Sequence, residues 1–369
     1  MKCRTAIAEK MGDPFVVEEV ELAEPGAQEV RLKVMTCTIC HSDIHGVRGE
    51  HGPYEGCATA GHEIAGIVDS VGSGVTYVKP GDRVLCGVVR AGCGVCDNCM
   101  RGRSWFCENL PSFGFRQPGP YTRANGKVPI QTNAGATGFS EYTNCHESFL
   151  CKIDDDIPFA VASAMACGFI TGFGAILNRC QVKPGESVAI IGSGGVGLSA
   201  VQGARVSGAC PIIAIDIVES KLELAKKCGA THTVDSKSVD AVKAVREICK
   251  YGADHTLIAV AGKGIKRQAW DMTAPWGEAV IIGHGRREEE MMDEFCAMDF
   301  LQGKRFTGSV MGAVTLRRDI AKYSEFYRRG IIDIDCMLTN RFSLDQINDA
   351  FYDAEHGALK NIVVIGGEK

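Results

Sequence analysis

This chain has no long block of like charge. Its 40 Lys and Arg residues face 45 Asp and Glu, for a formal net charge of −5. Nucleic acid and an anionic membrane are therefore excluded as expected partners. No apolar run is read as approaching the ~18 residues that would span a bilayer. After Met1-Lys2-Cys3-Arg4, the stretch Thr5-Ala6-Ile7-Ala8 meets Glu9-Lys10 and is too short for a signal-peptide core. Repeats and low-complexity linkers are also lacking. The expected location is the cytoplasm.

What the chain does have is length and cysteine. Its 369 residues suggest two domains, and 45% hydrophobic with 23% charged residues is an ordinary globular balance. Eighteen cysteines need a reason. Disulfide staples suit small secreted domains with thin cores, so thiolates held by metal in a reducing compartment fit better. Cysteines without partner spacing, such as Cys57, Cys145, Cys228 and Cys296, are expected to be small buried side chains.

Two textures divide the sequence. Up to about residue 150 it is rich in Gly, Pro and short β-type runs. Val30-Arg31-Leu32-Lys33-Val34 alternates as a half-buried strand should. Lys79-Pro80-Gly81-Asp82 reads as a turn entering a strand. After about residue 170, strands alternate with helices. Ser187 to Gly192 and Pro211 to Asp216 read as buried strands, each followed by a helix, and strand-like runs recur at 255–260 and 279–283. That alternation implies crossovers and a parallel sheet, so the fold class is α/β. The tail from Phe342 to Ile365 reads as helix then strand.

Gly192-Ser193-Gly194-Gly195-Val196-Gly197 matches G-x-G-x-x-G. Alone the pattern is weak. Here it follows a buried strand and opens a helix, and Asp216 closes the next strand about 20 residues on. The helix start offers N–H groups to a pyrophosphate. Asp216 would accept from the adenosine ribose hydroxyls and repel a 2′-phosphate. Ile217, Val218 and Glu219 follow it, with no Arg, so NAD is favoured over NADP.

Cys93, Cys96, Cys99 and Cys107 form C-x2-C-x2-C-x7-C, a spacing that can close four thiolates around one structural zinc. Cys40, His62 and Cys167 are dispersed. By spacing alone each is a weak signal, since a lone His or Cys is more often a packed core residue than a ligand.

Together these motifs resemble the zinc-containing medium-chain alcohol dehydrogenases. Gly61-His62-Glu63-Ile64-Ala65-Gly66, with Gly72 and Val75, follows that family's zinc signature, and the resemblance covers essentially the whole chain. It implies a GroES-like β-rich catalytic domain at 1–168 and 311–369, with a Rossmann domain at 169–310. It further implies that Cys40, His62 and Cys167 ligate a catalytic zinc with a fourth position open, giving two Zn2+ per chain. Ser42 would take the alcohol's proton and pass it by the cofactor ribose to His45, which meets solvent and whose ordinary pKa suits an exit. Asp43 and Glu63 fit roles orienting a ligand or tuning the metal. His41 and Lys360 match positions near the cofactor pyrophosphate, Lys221 one near the ribose, and Thr171 a further cofactor contact.

By motif distance the substrate pocket holds Ser42, Val89, Asn133, Ala134, His284 and Val310. Val89 and Ala134 suggest a wide slot, while Asn133 and His284 suggest a polar substrate. Arg286 and Arg287 could meet an anionic group or be solvated loop charges. Phe139-Ser140-Glu141-Tyr142-Thr143 and the long segment before Cys167 also resemble the glutathione-dependent formaldehyde dehydrogenases. Gly46-Val47-Arg48-Gly49-Glu50, however, lacks that class's acidic pattern. The expected reaction is reversible hydride transfer between NAD and an alcohol larger or more polar than ethanol. The alternatives are the formaldehyde–glutathione adduct as substrate, or a non-catalytic nucleotide-binding member of the fold. The long segment between Cys107 and Cys167 matches relatives that are mostly dimers, so a homodimer is expected.

Overall fold

Val188–Ile191 is apolar throughout and all four side chains are buried. A strand with no polar face has to be covered on both sides, as parallel sheets are. In the computed structural model it is central in a six-stranded parallel sheet. The order is His232–Asp235, Ile212–Asp216, Val188–Ile191, Ala253–Ile258, Thr273–Ile281 and Arg305–Gly308. In chain order that is 3-2-1-4-5-6, which puts a topological switch point beside Val188–Ile191, where such sheets bind dinucleotides. Helices Gly195–Ser207 and Glu219–Cys228 follow the first two strands as expected. One apolar core gathers Ala189, Ile191, Ile213, Ile215, Val234 and Ile258.

The structure describes residues 1–110, 120–127, 129–131, 136–286, 289, 291–292 and 295–368. Contacts divide it into two compact units, 1–167 with 315–369, and 168–314. The parallel sheet belongs to the second.

The first unit is built on a mixed sheet around the strand Glu29–Thr38. That strand pairs antiparallel with Glu63–Val71, with Tyr142–His146 and with Lys360–Val364. The tail thus supplies helix Ile347–Glu355 and a strand that returns to this unit. A second sheet runs Tyr121–Thr122, Phe15–Leu22, Lys2–Ala8, Ala58–Thr59 and Ile130–Gln131. The core includes Val30, Leu32, Val34, Ile64, Val84, Phe149 and Val363.

Three sequence expectations need correction. In the strand from Glu29, Lys33 is exposed as the alternation predicts, but the other polar position is enclosed. Arg31 is only 6% exposed. Its guanidinium is held by Glu24 at 3.1 Å and by the carbonyl of Ala23 at 2.9 Å. Second, one run does reach membrane-spanning length. The helical stretch Phe159–Cys180 is 22 residues, apolar, and 94% buried inside the protein over its most apolar window, so it is a core helix. Its Ala and Gly content hid it. Third, Cys57, Cys145 and Cys228 are buried, but Cys296 is exposed. It precedes the short helix Ala297–Phe300, where its N–H donates to the Asp299 carboxylate at 2.9 Å.

Candidate active site

Three adjacent antiparallel strands bring one cluster together. Thr38 ends its strand opposite Glu63, which begins the next, and opposite Ile362 of the returning tail strand. Cys40, His62, Glu63 and Lys360 therefore meet at one edge although they are far apart in sequence. Helix Phe159–Ala164 packs across strands Glu29–Thr38 and Glu63–Val71 and leads into a π-helical turn, Met165–Phe169, that carries Cys167. Such a turn is a common device for aiming a functional side chain. Gly61 has φ +97°, and a Cβ there would lie 2.8 Å from the Phe139 nitrogen, so only glycine can precede His62 here.

One donor atom from each of Cys40, His62, Glu63 and Cys167 lies within 4.8 Å of all the others. Asp43, fully buried, accepts from His62 Nδ1 at 2.9 Å and the Gly61 N–H at 2.9 Å through Oδ1, and from the Cys40 N–H at 3.1 Å through Oδ2. Those bonds fix the imidazole ring and leave Nε2 for the cluster. The Cys167 thiol beside it holds Cys40 well below the ordinary thiol range, and the same contact, with burial, lifts Cys167 well above it. Two sulfurs and an imidazole in a buried pocket are donors that zinc prefers. Ser42 sits one step out, its hydroxyl 3.6 Å from the Cys40 sulfur.

Lys360 is only 5% exposed, and its ammonium grips both oxygens of Glu63. The Thr38 hydroxyl donates to the same carboxylate. Lys360, expected near a pyrophosphate, has its charge paired with Glu63. His45 pairs through Nδ1 with Glu50, a partner the sequence reading missed, and its ring centroid lies 5.5 Å from that of His51. His41 is exposed at the start of the same helix, His41–Val47, its ring centroid 6.5 Å from that of His45.

The four-cysteine loop also converges, with donors of Cys93, Cys96, Cys99 and Cys107 within 4.8 Å of one another. The backbone N–H groups of Val95 and Cys96 hold the Cys93 thiol down to about 6. Stabilised thiolate in a closed sulfur set fits a structural zinc.

In the second unit the glycine turn divides its labour. Gly192 has φ +95°, and a Cβ on Gly197 would sit 1.8 Å from the Gly192 carbonyl oxygen, so one makes the turn and the other lets helix meet strand. A Cβ on Gly194 would meet nothing within 4 Å, which leaves room for a ligand to approach the backbone. Gly195 and Val196 open the helix, half-buried. Asp216 braces the turn, accepting from the Ser193 N–H at 2.6 Å and from the Ile217 and Val218 N–H groups at 2.8 and 3.0 Å. Lys221 is half-buried in the next helix, and Thr171 is buried with its hydroxyl 3.8 Å from the Met311 sulfur.

The residues expected to line the substrate pocket come from both units. Val89 is buried in the first unit, and Val310 is exposed in the second. His284, exposed in the second unit, lines a cavity with Ile258, Val260, Ile265 and Ile281. Arg286 is exposed. Asn133, Ala134 and Arg287 lie outside the described residues.

A sulfur–imidazole cluster on a β-rich unit, joined to a parallel-sheet dinucleotide unit, defines a zinc-type dehydrogenase. Residues 26–155 match the alcohol dehydrogenase GroES-like domain, and residues 195–329 match the zinc-binding dehydrogenase family. The chain is 36% identical over 360 residues to alcohol dehydrogenase 1 of Pisum sativum, covering 95% of this chain and 93% of that one. It is also 36% identical over 359 residues to an S-(hydroxymethyl)glutathione dehydrogenase of Escherichia coli O1:K1 / APEC, covering 95% and 96%. The crystal structure of benzyl alcohol dehydrogenase from Acinetobacter calcoaceticus superposes with a TM-score of 0.90 at 31% identity, over 99% of both chains. The chain belongs to the zinc-dependent alcohol dehydrogenase family, an oxidoreductase with a GroES-like domain and a Rossmann-type domain.

Proposed function

We propose that this protein is an NAD-linked dehydrogenase of a primary or secondary alcohol larger or more polar than ethanol, working as a homodimer. The observation that carries the reading is the buried Cys40, His62 and Cys167 set with the Ser42 hydroxyl against it. Zinc held by those three side chains supplies a Lewis acid for the substrate oxygen. Ser42 takes the proton leaving the alcohol, and His45 delivers it outward. Glu50 pairs with His45 Nδ1 and orients the ring on that path. Asp43 holds the His62 ring in one orientation. The glycine turn and the start of helix Gly195–Ser207 receive the pyrophosphate, and Asp216 takes the ribose hydroxyls. Exposed Ile217 and Val218 beside Asp216 offer no cation for a 2′-phosphate, which supports NAD over NADP.

A screen of alcohols and aldehydes with either cofactor tests this. The expected result is NAD-linked turnover that peaks on a bulky or polar alcohol. A peak on ethanol, on the formaldehyde–glutathione adduct, or with NADP would overturn the corresponding part. The adduct is the specific rival, because relatives at 36% identity are named S-(hydroxymethyl)glutathione dehydrogenase.

Ser42→Ala should lower turnover by about 10²–10⁴-fold, the usual scale for losing a positioned proton acceptor. Zinc content should stay at the wild-type value, since Ser42 is not a ligand. Unchanged turnover would remove Ser42 from the proton path.

A further inference from the structure

Outside the two zinc-type clusters, the described residues of the second unit hold another convergent donor set. One atom each of Cys180, His255 and Glu278 lies within 4.8 Å of the other two, as close as the donors in the two clusters above. They come from separate elements. Cys180 ends the helical turn Ala175–Cys180, His255 lies in strand Ala253–Ile258, and Glu278 lies in strand Thr273–Ile281. His255 pairs across the sheet with both Val188 and Glu278, so this row crosses the amino end of the strands. The glycine turn lies at the carboxyl end of Val188–Ile191, roughly 10 Å away along the strand at ~3.3 Å per residue.

The arrangement has the parts of a metal site. His255 is 7% and Glu278 3% exposed, so neither is a solvated surface charge. His255 Nδ1 faces Glu278 Oε1 at 3.1 Å, and its other nitrogen, Nε2, faces Glu186 Oε2 at 3.1 Å. A carboxylate on the far nitrogen of an imidazole is the usual support of a metal-bound histidine. Glu186 is itself held by the Lys183 N–H at 2.7 Å. The charges also balance. Cys180 as thiolate and Glu278 as carboxylate, with neutral His255, match a divalent cation; Arg179 stands 3.5 Å from Glu278 Oε2, and Glu186 adds a further negative charge behind the imidazole, so the whole group including the ion is neutral.

We propose that Cys180, His255 and Glu278 form a further zinc-type divalent-cation site at the amino end of the parallel sheet. The ion replaces the proton between His255 Nδ1 and Glu278, and the Cys180 thiol gives up its proton to solvent as its sulfur binds. One sulfur, one nitrogen and one oxygen form a borderline set that suits zinc better than magnesium or calcium. Water completes the coordination, because Cys180 is half-buried. This position is set off from the cofactor end, so the ion clamps the end of the long core helix to two strands and takes no part in hydride transfer.

The test is metal counting on the full-length protein equilibrated with micromolar free zinc. The wild type should hold one zinc per chain more than Cys180→Ala and one more than Glu278→Gln. Both variants should keep turnover within about twofold, because neither residue belongs to the active site. Equal zinc content in wild type and both variants overturns the proposal, whatever the baseline count. If Cys180→Ala fails to fold, Glu278→Gln carries the comparison. Cobalt gives a second readout: its sulfur charge-transfer absorbance should fall on going from wild type to Cys180→Ala, and an unchanged spectrum also overturns the site. Activity is read separately, so failure here leaves the dehydrogenase reading intact.

Discussion

His62→Ala should remove one zinc per chain and lower turnover by at least about 10³-fold. A Lewis acid at the reacting oxygen contributes several kcal/mol, and each 1.36 kcal/mol is about tenfold in rate. The loss is larger than for an exposed histidine because nothing nearby replaces it. Asp43 already uses both oxygens on the Cys40, Gly61 and His62 donors, and Glu63 is committed to Lys360 and Thr38. The variant also leaves Asp43 short of one donor. The four-cysteine loop shares no ligand with this cluster, so its zinc should remain. Metal analysis and single-turnover hydride transfer, measured together, check the result. Full metal content with lost turnover would mean that His62 acts by some means other than ligation.

Lys360→Met should be the most destabilising single change at this site, costing about 3–5 kcal/mol. Removing one partner of a buried pair strands the other charge without water. Glu63 is fully buried, and the Thr38 hydroxyl that also donates to it is neutral. The double variant Lys360→Met with Glu63→Gln should recover much of the loss, since replacing both members of a buried pair is often close to neutral. Thermal unfolding of the four combinations checks this. If the double variant is no more stable than Lys360→Met alone, the cost lies in lost packing of the lysine stem rather than in the unpaired carboxylate.

Legibility from sequence followed distance along the chain. The glycine turn and the four-cysteine loop are local. Gly192 to Gly197 make one turn between a strand and a helix, and Cys93 to Cys107 close one loop, so spacing alone carries their chemistry. Cys40, His62 and Cys167 are not local. Their meeting depends on strand register and on a π-helical turn that no pattern announces, so only the family resemblance joined them. The partners of those residues were harder still. Glu63 and Lys360 are separated by 297 positions, and their pairing follows from the tail strand docking beside Glu29–Thr38. Glu50 reads as a plain loop carboxylate until the helix His41–Val47 turns His45 toward it. Cys180, His255 and Glu278 carry no spacing signal, because each comes from a different element and only the sheet register aligns them.

Asp43 has a thermodynamic consequence of its own. It anchors two backbone amides and one ring nitrogen with a single carboxylate. The rotational freedom of the His62 ring is therefore surrendered when the polypeptide folds, not when an ion arrives. An incoming cation therefore meets a socket already shaped for it, and less of its binding free energy goes into ordering the ring.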